Sequence, residues 1–167
     1  MRKPIVGVMG GSRVPPDVEE RAERLGQAIA ARGWLLLNGG RNCGVMAASA
    51  RGARNAGGMT IGILPDQNTN NATPDLDIAI VTGIGDARNL VNVLSSTVVV
   101  AMLGGTGTAS EVALALKHGK RVILFGFPES PVFAPYRETG QLSAATDVDE
   151  VIAQATAAIE AIRIEEA

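Results

Sequence analysis

An α/β fold with an open, mostly parallel sheet and helices on both faces is the class this sequence predicts. Three observations lead there. Apolar runs of five or six residues alternate with longer helical segments. The runs are apolar along most of their length, without the polar alternation of a half-exposed strand, as expected of strands buried on both faces. The chain of 167 residues, 46% of them hydrophobic, suffices for one domain, 1–167, with one sizeable core.

Each element has a local reason. "IVGVM" (Ile5–Met9) reads as the first strand, and the short apolar start "MRKPIVGVMGG" is expected to be that strand and not a signal peptide. "PPDVEERAERLGQAIAARG" reads as a helix opened by proline and closed by Gly33, with Val18, Leu25 and Ile29 on its apolar stripe. "WLLLN" (Trp34–Asn38) is the second strand, and "GVMAASARGARNAGG" a small-residue helix suited to close packing. "TIGILP" is the third strand and "DQNTNNATPDLD" a polar loop. "IAIVT" is the fourth strand, followed by the helix "DARNLVNVLSS" with Asp86 as its expected cap. "TVVVAM" is the fifth strand. "LGGTGTASE" (Leu103–Glu111) joins it to the helix "VALALKHGK", and "VILFGF" (Val122–Phe127) is the next strand. Residues from Phe127 to Thr139 read as irregular and proline-rich, and Asp147 as the cap of a last helix, "DVDEVIAQATAAIEAI". No repeat, linker or low-complexity segment interrupts the pattern.

Composition narrows the function classes. A net charge of −2 disfavours nucleic acid or an anionic membrane as the main partner. No apolar stretch is long enough to span a bilayer, so a soluble cytoplasmic protein is expected. A single cysteine, Cys43, excludes an internal disulfide and a protein zinc cage. It reads as a buried small hydrophobe, and no metal ligands are expected from side chains.

In such a sheet, ligands bind outside the carboxyl ends of the strands. Four loops lie there: Gly10–Pro16, Gly39–Gly44, Thr82–Asn89 and Leu103–Glu111. The last admits two readings. Gly104, Gly105, Thr106, Gly107 and Thr108, with Ser110, suit an oxyanion held by free N–H groups at a helix start expected near Thr108. Equally, Thr108-Ala109-Ser110-Glu111 fits a capping box in which Glu111 only bonds back to the cap. Arginines in the other loops favour the anion. Arg13, Arg41 and Arg88 all follow strands, and Arg88 in a first helical turn opposes the helix dipole unless an anion or a carboxylate such as Asp86 or Glu111 offsets it. An anionic small molecule is therefore the expected partner.

Several chemistries drop out. The one histidine, His118, falls at the far end of its helix, which removes a Ser-His-Asp triad. Lys3, Lys117 and Lys120 lie outside the ligand loops, which argues against pyridoxal phosphate and lysine decarboxylation. "GGSRVP" after strand one is not G-x-G-x-x-G, and strand two ends at Asn38 without an acidic residue, which argues against NAD.

The motifs "LLNGGRNCGVM", "GARNAGGMTIGILP", "GDARNLVNV" and "GGTGTASE" resemble those of the LOG-like Rossmann superfamily, once mislabelled as lysine decarboxylases. Its best-known members are cytokinin riboside 5′-monophosphate phosphoribohydrolases. That resemblance implies catalytic roles for Arg88 and Glu111, and the separation of 111 − 88 = 23 positions matches the family's spacing. This chain departs from the hydrolases in having Asn89 after Arg88 and Leu103 before the two glycines. "RKPIVGVMG", "RGWLLLNGGR", "GGMTIGILP", "DIAIVTGIG" and "TASEVALALKHGK" resemble more closely the molybdenum cofactor carrier subfamily, over roughly residues 2–125. The resemblance implies a carrier without turnover. Its ligand would be an oxygen-sensitive pterin with a terminal phosphate at one end and a dithiolene-bound molybdenum oxo group at the other, handed on to molybdoenzymes. The binding residues expected are Gly10, Gly11, Ser12, Gly39, Gly40, Arg41, Asn42, Arg88, Asn89, Gly104, Gly105, Thr106, Gly107, Thr108 and Ser110. The alternatives are a phosphoribohydrolase and a nucleotide-sensing domain. Relatives suggest dimers or tetramers, and the alanine-rich second helix and the helix around Val91 and Leu94 offer apolar faces for a homo-oligomer.

Overall fold

The computed structural model describes residues 2–165. Seven parallel strands form one sheet in the order β4-β3-β2-β1-β5-β6-β7. They are β1 (Ile5–Met9), β2 (Leu35–Asn38), β3 (Thr60–Leu64), β4 (Ile78–Val81), β5 (Val98–Met102), β6 (Arg121–Phe125) and β7 (Leu142–Ala144). The helices are α1 (Pro16–Ala31), α2 (Gly44–Asn55), α3 (Arg88–Ser95), α4 (Thr106–Lys117), α5 (Ala134–Glu138) and α6 (Val148–Glu165). The α/β class with helices on both faces is as the sequence predicts.

Alternation along β5 shows how the faces are filled. Val98 and Val100 point into one core with Leu25 and Ile29 of α1, Val45 of α2 and Val151 and Ile159 of α6. Val99 and Ala101 point into the other, with Val93 of α3 and Val112, Ala115 and Leu116 of α4. Helices α1 and α2 meet backbone to backbone: a Cβ at Gly26 would collide with the Ser49 carbonyl, and one at Gly52 with the Glu23 carbonyl. The small-residue helix is thus consumed inside the chain, which corrects its expected role in an oligomer interface. Its Val45, Ala48, Ala50 and Ala53 are buried.

Four further details depart from the sequence reading. Helix α4 begins at Thr106, two residues before Thr108. Asp86 does not cap α3; it sits in a short 3-10 turn, Gly85–Ala87, that leads into Arg88, and no side chain caps either element. The segment read as irregular holds a 3-10 turn and α5, and the short edge strand β7 follows. Cys43, expected to be buried, is half-buried at the start of α2. Asp147 behaves as expected, its Oδ1 accepting from the Glu150 N–H at 2.9 Å.

Candidate functional site

The chain leaves β1 to one side through β2, β3 and β4, then crosses back to place β5 on the other. The connections after β1 and β5 therefore run to opposite faces of the sheet and leave a crevice at the carboxyl ends of these strands, the general ligand position in such sheets. A cleft of about 270 Å³ lies there.

Each wall comes from a different loop. Gly10, Gly11 and Ser12 follow β1, and the Gly11 N–H donates to the Leu103 carbonyl at 2.9 Å, tying this loop to the one after β5. Gly39 and Arg41 follow β2. A Cβ at Gly39 would collide with Arg88 Nη1, so glycine there lets the guanidinium reach beneath the loop. Asp86, Arg88 and Asn89 come from the 3-10 turn and the start of α3. Gly105, Thr106, Gly107, Thr108 and Glu111 come from the start of α4. No side chain caps α4, so its first N–H groups and the positive end of its dipole face the cleft.

Most of the anticipated residues meet, and four do not line the cleft. Gly40, with φ of +76°, packs beneath the loop and donates its N–H to Asn38 Oδ1 at 2.8 Å. Asn42 is exposed, its N–H held by the Asn71 carbonyl at 2.9 Å. Gly104 lies behind, against Thr108 and the Gly11 nitrogen. Ser110 locks α4 to α3, accepting from Asn89 Nδ2 at 3.0 Å and donating to the Gly107 carbonyl at 2.7 Å. Arg13 is exposed and outside the lining. Sequence reasoning missed Met9 and Met46, which form apolar wall, and Asp66, which pairs with Arg41 at 3.0 Å. Asp86, which by residue type and position resembles a helix cap, instead lines the cleft beside Arg88.

Electrostatics favour an anion. Arg88 donates Nη1 to the Ile63 carbonyl at 2.9 Å, and its Nε is buried without a partner. Burial lowers its pKa, Glu111 opposes that, and neighbouring Arg41 lowers it further. Two guanidinium groups thus repel one another across the cleft. Arg41 Nε and Asp66 Oδ2 are likewise buried and unpartnered. Orphaned buried polar atoms of this kind call for a ligand or water.

Glu111 does not close a capping box. With α4 starting at Thr106, it lies beyond the first turn, turns inward and is 7% exposed. Its Oε1 accepts from Asn92 Nδ2 at 2.9 Å. Burial pushes its pKa from 4.5 up to about 7, against the lowering pull of Asn92 and then Arg88. Among the described residues no cluster of three or more His, Cys, Asp or Glu could hold a metal ion.

The other candidate chemistries sit at the opposite edge of the sheet. A broader cleft of about 940 Å³ there is lined by Lys3, His118, Lys120 and Arg121. Lys120 Nζ donates to the Leu94 and Ser96 carbonyls at 3.0 and 2.7 Å, finishing α3.

The fold matches known proteins. The model of the SLOG cluster4 family matches residues 3–152, and the chain belongs to that family. Among solved structures, the molybdenum cofactor binding protein from the phototrophic bacterium Rippkaea orientalis is 48% identical. It superposes with a TM-score of 0.88 over 95% of this chain and 99% of that one. The molybdenum cofactor carrier protein of Chlamydomonas reinhardtii is 45% identical with a TM-score of 0.88, over 95% and 99% of the two chains. A cytokinin riboside 5′-monophosphate phosphoribohydrolase of Mycobacterium marinum is 35% identical over 99 residues, 58% of this chain and 53% of that protein. The likeness to the carrier proteins read from the motifs thus extends over nearly the whole chain.

Proposed function

We propose that this protein binds the molybdenum cofactor at the carboxyl edge of its sheet and carries it to molybdoenzymes without turning it over. One observation carries the reading of the cleft. Gly105 and Gly107 have ordinary negative-φ or extended backbone, and nothing lies within 4 Å of where their Cβ atoms would be. Packing and conformation therefore make no demand for glycine at either position. The open space belongs to the cleft, and a side chain would fill the approach to the free N–H groups of α4. The cofactor's two oxyanion ends match the two clusters of donors. The α4 start with Gly10, Gly11 and Ser12 suits one end, and Arg41 with Arg88 the other. Met9 and Met46 give an apolar wall for the pterin face between them. The solved carrier proteins support the choice of ligand. No described helix is long and apolar enough to cross a membrane.

The second reading is phosphoribohydrolysis. It is favoured by Arg88 and Glu111 sharing the cleft and by a carboxyl near neutrality, a range suited to general acid–base work. Mass spectrometry and absorbance of freshly purified protein, with an adenosine monophosphate hydrolysis assay alongside, separate the two. Co-purifying molybdopterin and no adenine release support the carrier. Adenine release lost in Glu111→Gln replaces it with the hydrolase.

Assembly belongs to the same proposal. Ile78 and Ile80 of the edge strand β4 and Leu94 of α3 remain 43%, 44% and 47% exposed on the α3 side of the sheet. A second copy covering this face would bury them. Light scattering after size exclusion should give a multiple of 17.2 kDa at micromolar concentration, and a single 17.2 kDa species contradicts it.

A further inference from the structure

Glu111 is an anomaly in a cleft built for anions. Its carboxyl lines the wall and is 7% exposed. If ionised, it would set a negative charge beside the ligand's own. Among the described residues no cation neutralises it by direct pairing. Arg88, facing it from α3, bonds instead to the Ile63 carbonyl, and Arg41 across the cleft is paired with Asp66. Asp86, on the turn before α3, adds a negative charge to the same cleft. Strand β5 behind it brings no charged side chain, while Lys117 of α4 and Arg121 of β6 lie at the opposite edge. Its hydrogen-bond partner is the Asn92 amide, whose own Oδ1 is buried and unpartnered. The Asn92 N–H and the Arg88 charge favour the ionised carboxyl, and burial outweighs both in favour of the neutral one. A neutral carboxyl also gains an O–H donor that an ionised one lacks.

We propose that an oxyanion entering the cleft draws one proton from solvent onto Glu111, whose neutral carboxyl then donates its O–H to the ligand. Binding and proton uptake are thereby linked. The inference rests on the reading of the cleft as an oxyanion site, but not on the identity of the cargo. The proton is available near neutrality because burial already holds this carboxyl well above the usual carboxylate range. Ligand charge raises it further, since like charges repel. The carboxyl thus becomes a donor that selects for anions, where the fixed arginines alone would only attract them.

The test uses sulfate, which does not titrate between pH 6 and 9, followed by NMR titration with wild type and Glu111→Gln. Wild-type affinity should fall by roughly tenfold or more from pH 7 to pH 9 as the linked proton is withdrawn. Glu111→Gln, neutral at every pH and still carrying an N–H donor, should bind independently of pH and more tightly than wild type at pH 9. In parallel, ¹³C-labelled glutamate should show one carboxyl signal, absent from Glu111→Gln, whose midpoint moves to higher pH on adding sulfate. Wild-type binding that does not change with pH, or a midpoint unmoved by sulfate, overturns the linkage and leaves the oxyanion site standing. If neither protein binds sulfate at any pH, the oxyanion site falls and the linkage with it.

Discussion

Gly107→Ala should make the protein more stable and a poorer binder at once. Gly107 is the second residue of α4, exposed, with no atom within 4 Å of its absent Cβ. Alanine there adopts the same backbone without strain, and replacing glycine within a helix gains about 0.5–1 kcal/mol. For a chain of 167 residues, that gain is a rise in melting temperature of about 1–4 °C. The added methyl occupies the space through which a ligand reaches the first N–H groups of the helix. Crowding of this kind costs about 1–3 kcal/mol, so affinity for the molybdenum cofactor, or for sulfate as a probe, should fall by about fivefold or more. Thermal unfolding and equilibrium binding on the same preparation read both effects. A variant that gains stability but binds like wild type refutes the reasoning, since the ligand would then not approach α4 closely.

Other perturbations follow from named contacts. Arg88→Ala should weaken oxyanion binding by about tenfold or more, charge-assisted bonds contributing roughly 1.5–3 kcal/mol, as measured by sulfate titration. Gly52→Ala forces a methyl into the Glu23 carbonyl of α1 and should lower stability by about 1–3 kcal/mol in denaturant unfolding, with the cleft's ligand affinity unchanged in the folded fraction. Glu111 should make stability depend on pH. Its proton leaves the unfolded chain near 4.5 and the folded protein only at about 7, so the folded state holds more protons in between and stability falls as pH rises through that window. The full difference is on the order of 3 kcal/mol. Glu111→Gln should gain relative to wild type by about that amount between pH 4 and pH 8 in urea melts, and an offset constant across that range contradicts the buried-carboxyl assignment.

Much of this was legible in the sequence because the fold writes it locally. Strands buried on both faces appear as unbroken apolar runs, so β1, β2, β3, β5 and β6 could be placed to within a residue or two. The loops at their carboxyl ends then had to converge, which brought Gly10, Gly39, Arg41, Arg88 and Gly105 together before any coordinates. What failed depended on contacts remote in sequence. Glu111 fits a capping box by spacing alone, yet α4 starts two residues earlier than its Gly-Thr-Gly composition suggests, and its true partner, Asn92, is 19 positions away. Asp86 has the residue type of a cap but precedes a 3-10 turn that leaves it facing the cleft. Arg41's pairing with Asp66 depends on how the polar loop folds back, which no periodicity reports. Strand β7, three residues at the sheet edge, is too short to show a pattern.

Retention of the intact molybdenum cofactor in this cleft is the point on which the proposed function turns. The most direct test is to incubate the protein with the cofactor without oxygen, remove free ligand by gel filtration, and assay both bound molybdenum and reconstitution of a cofactor-free molybdoenzyme. Retained molybdenum in fixed ratio to protein, full transfer of activity to the acceptor enzyme, and loss of retention in Gly107→Ala are expected. Protein that elutes free of molybdenum, while releasing adenine from adenosine monophosphate, would contradict the proposed function.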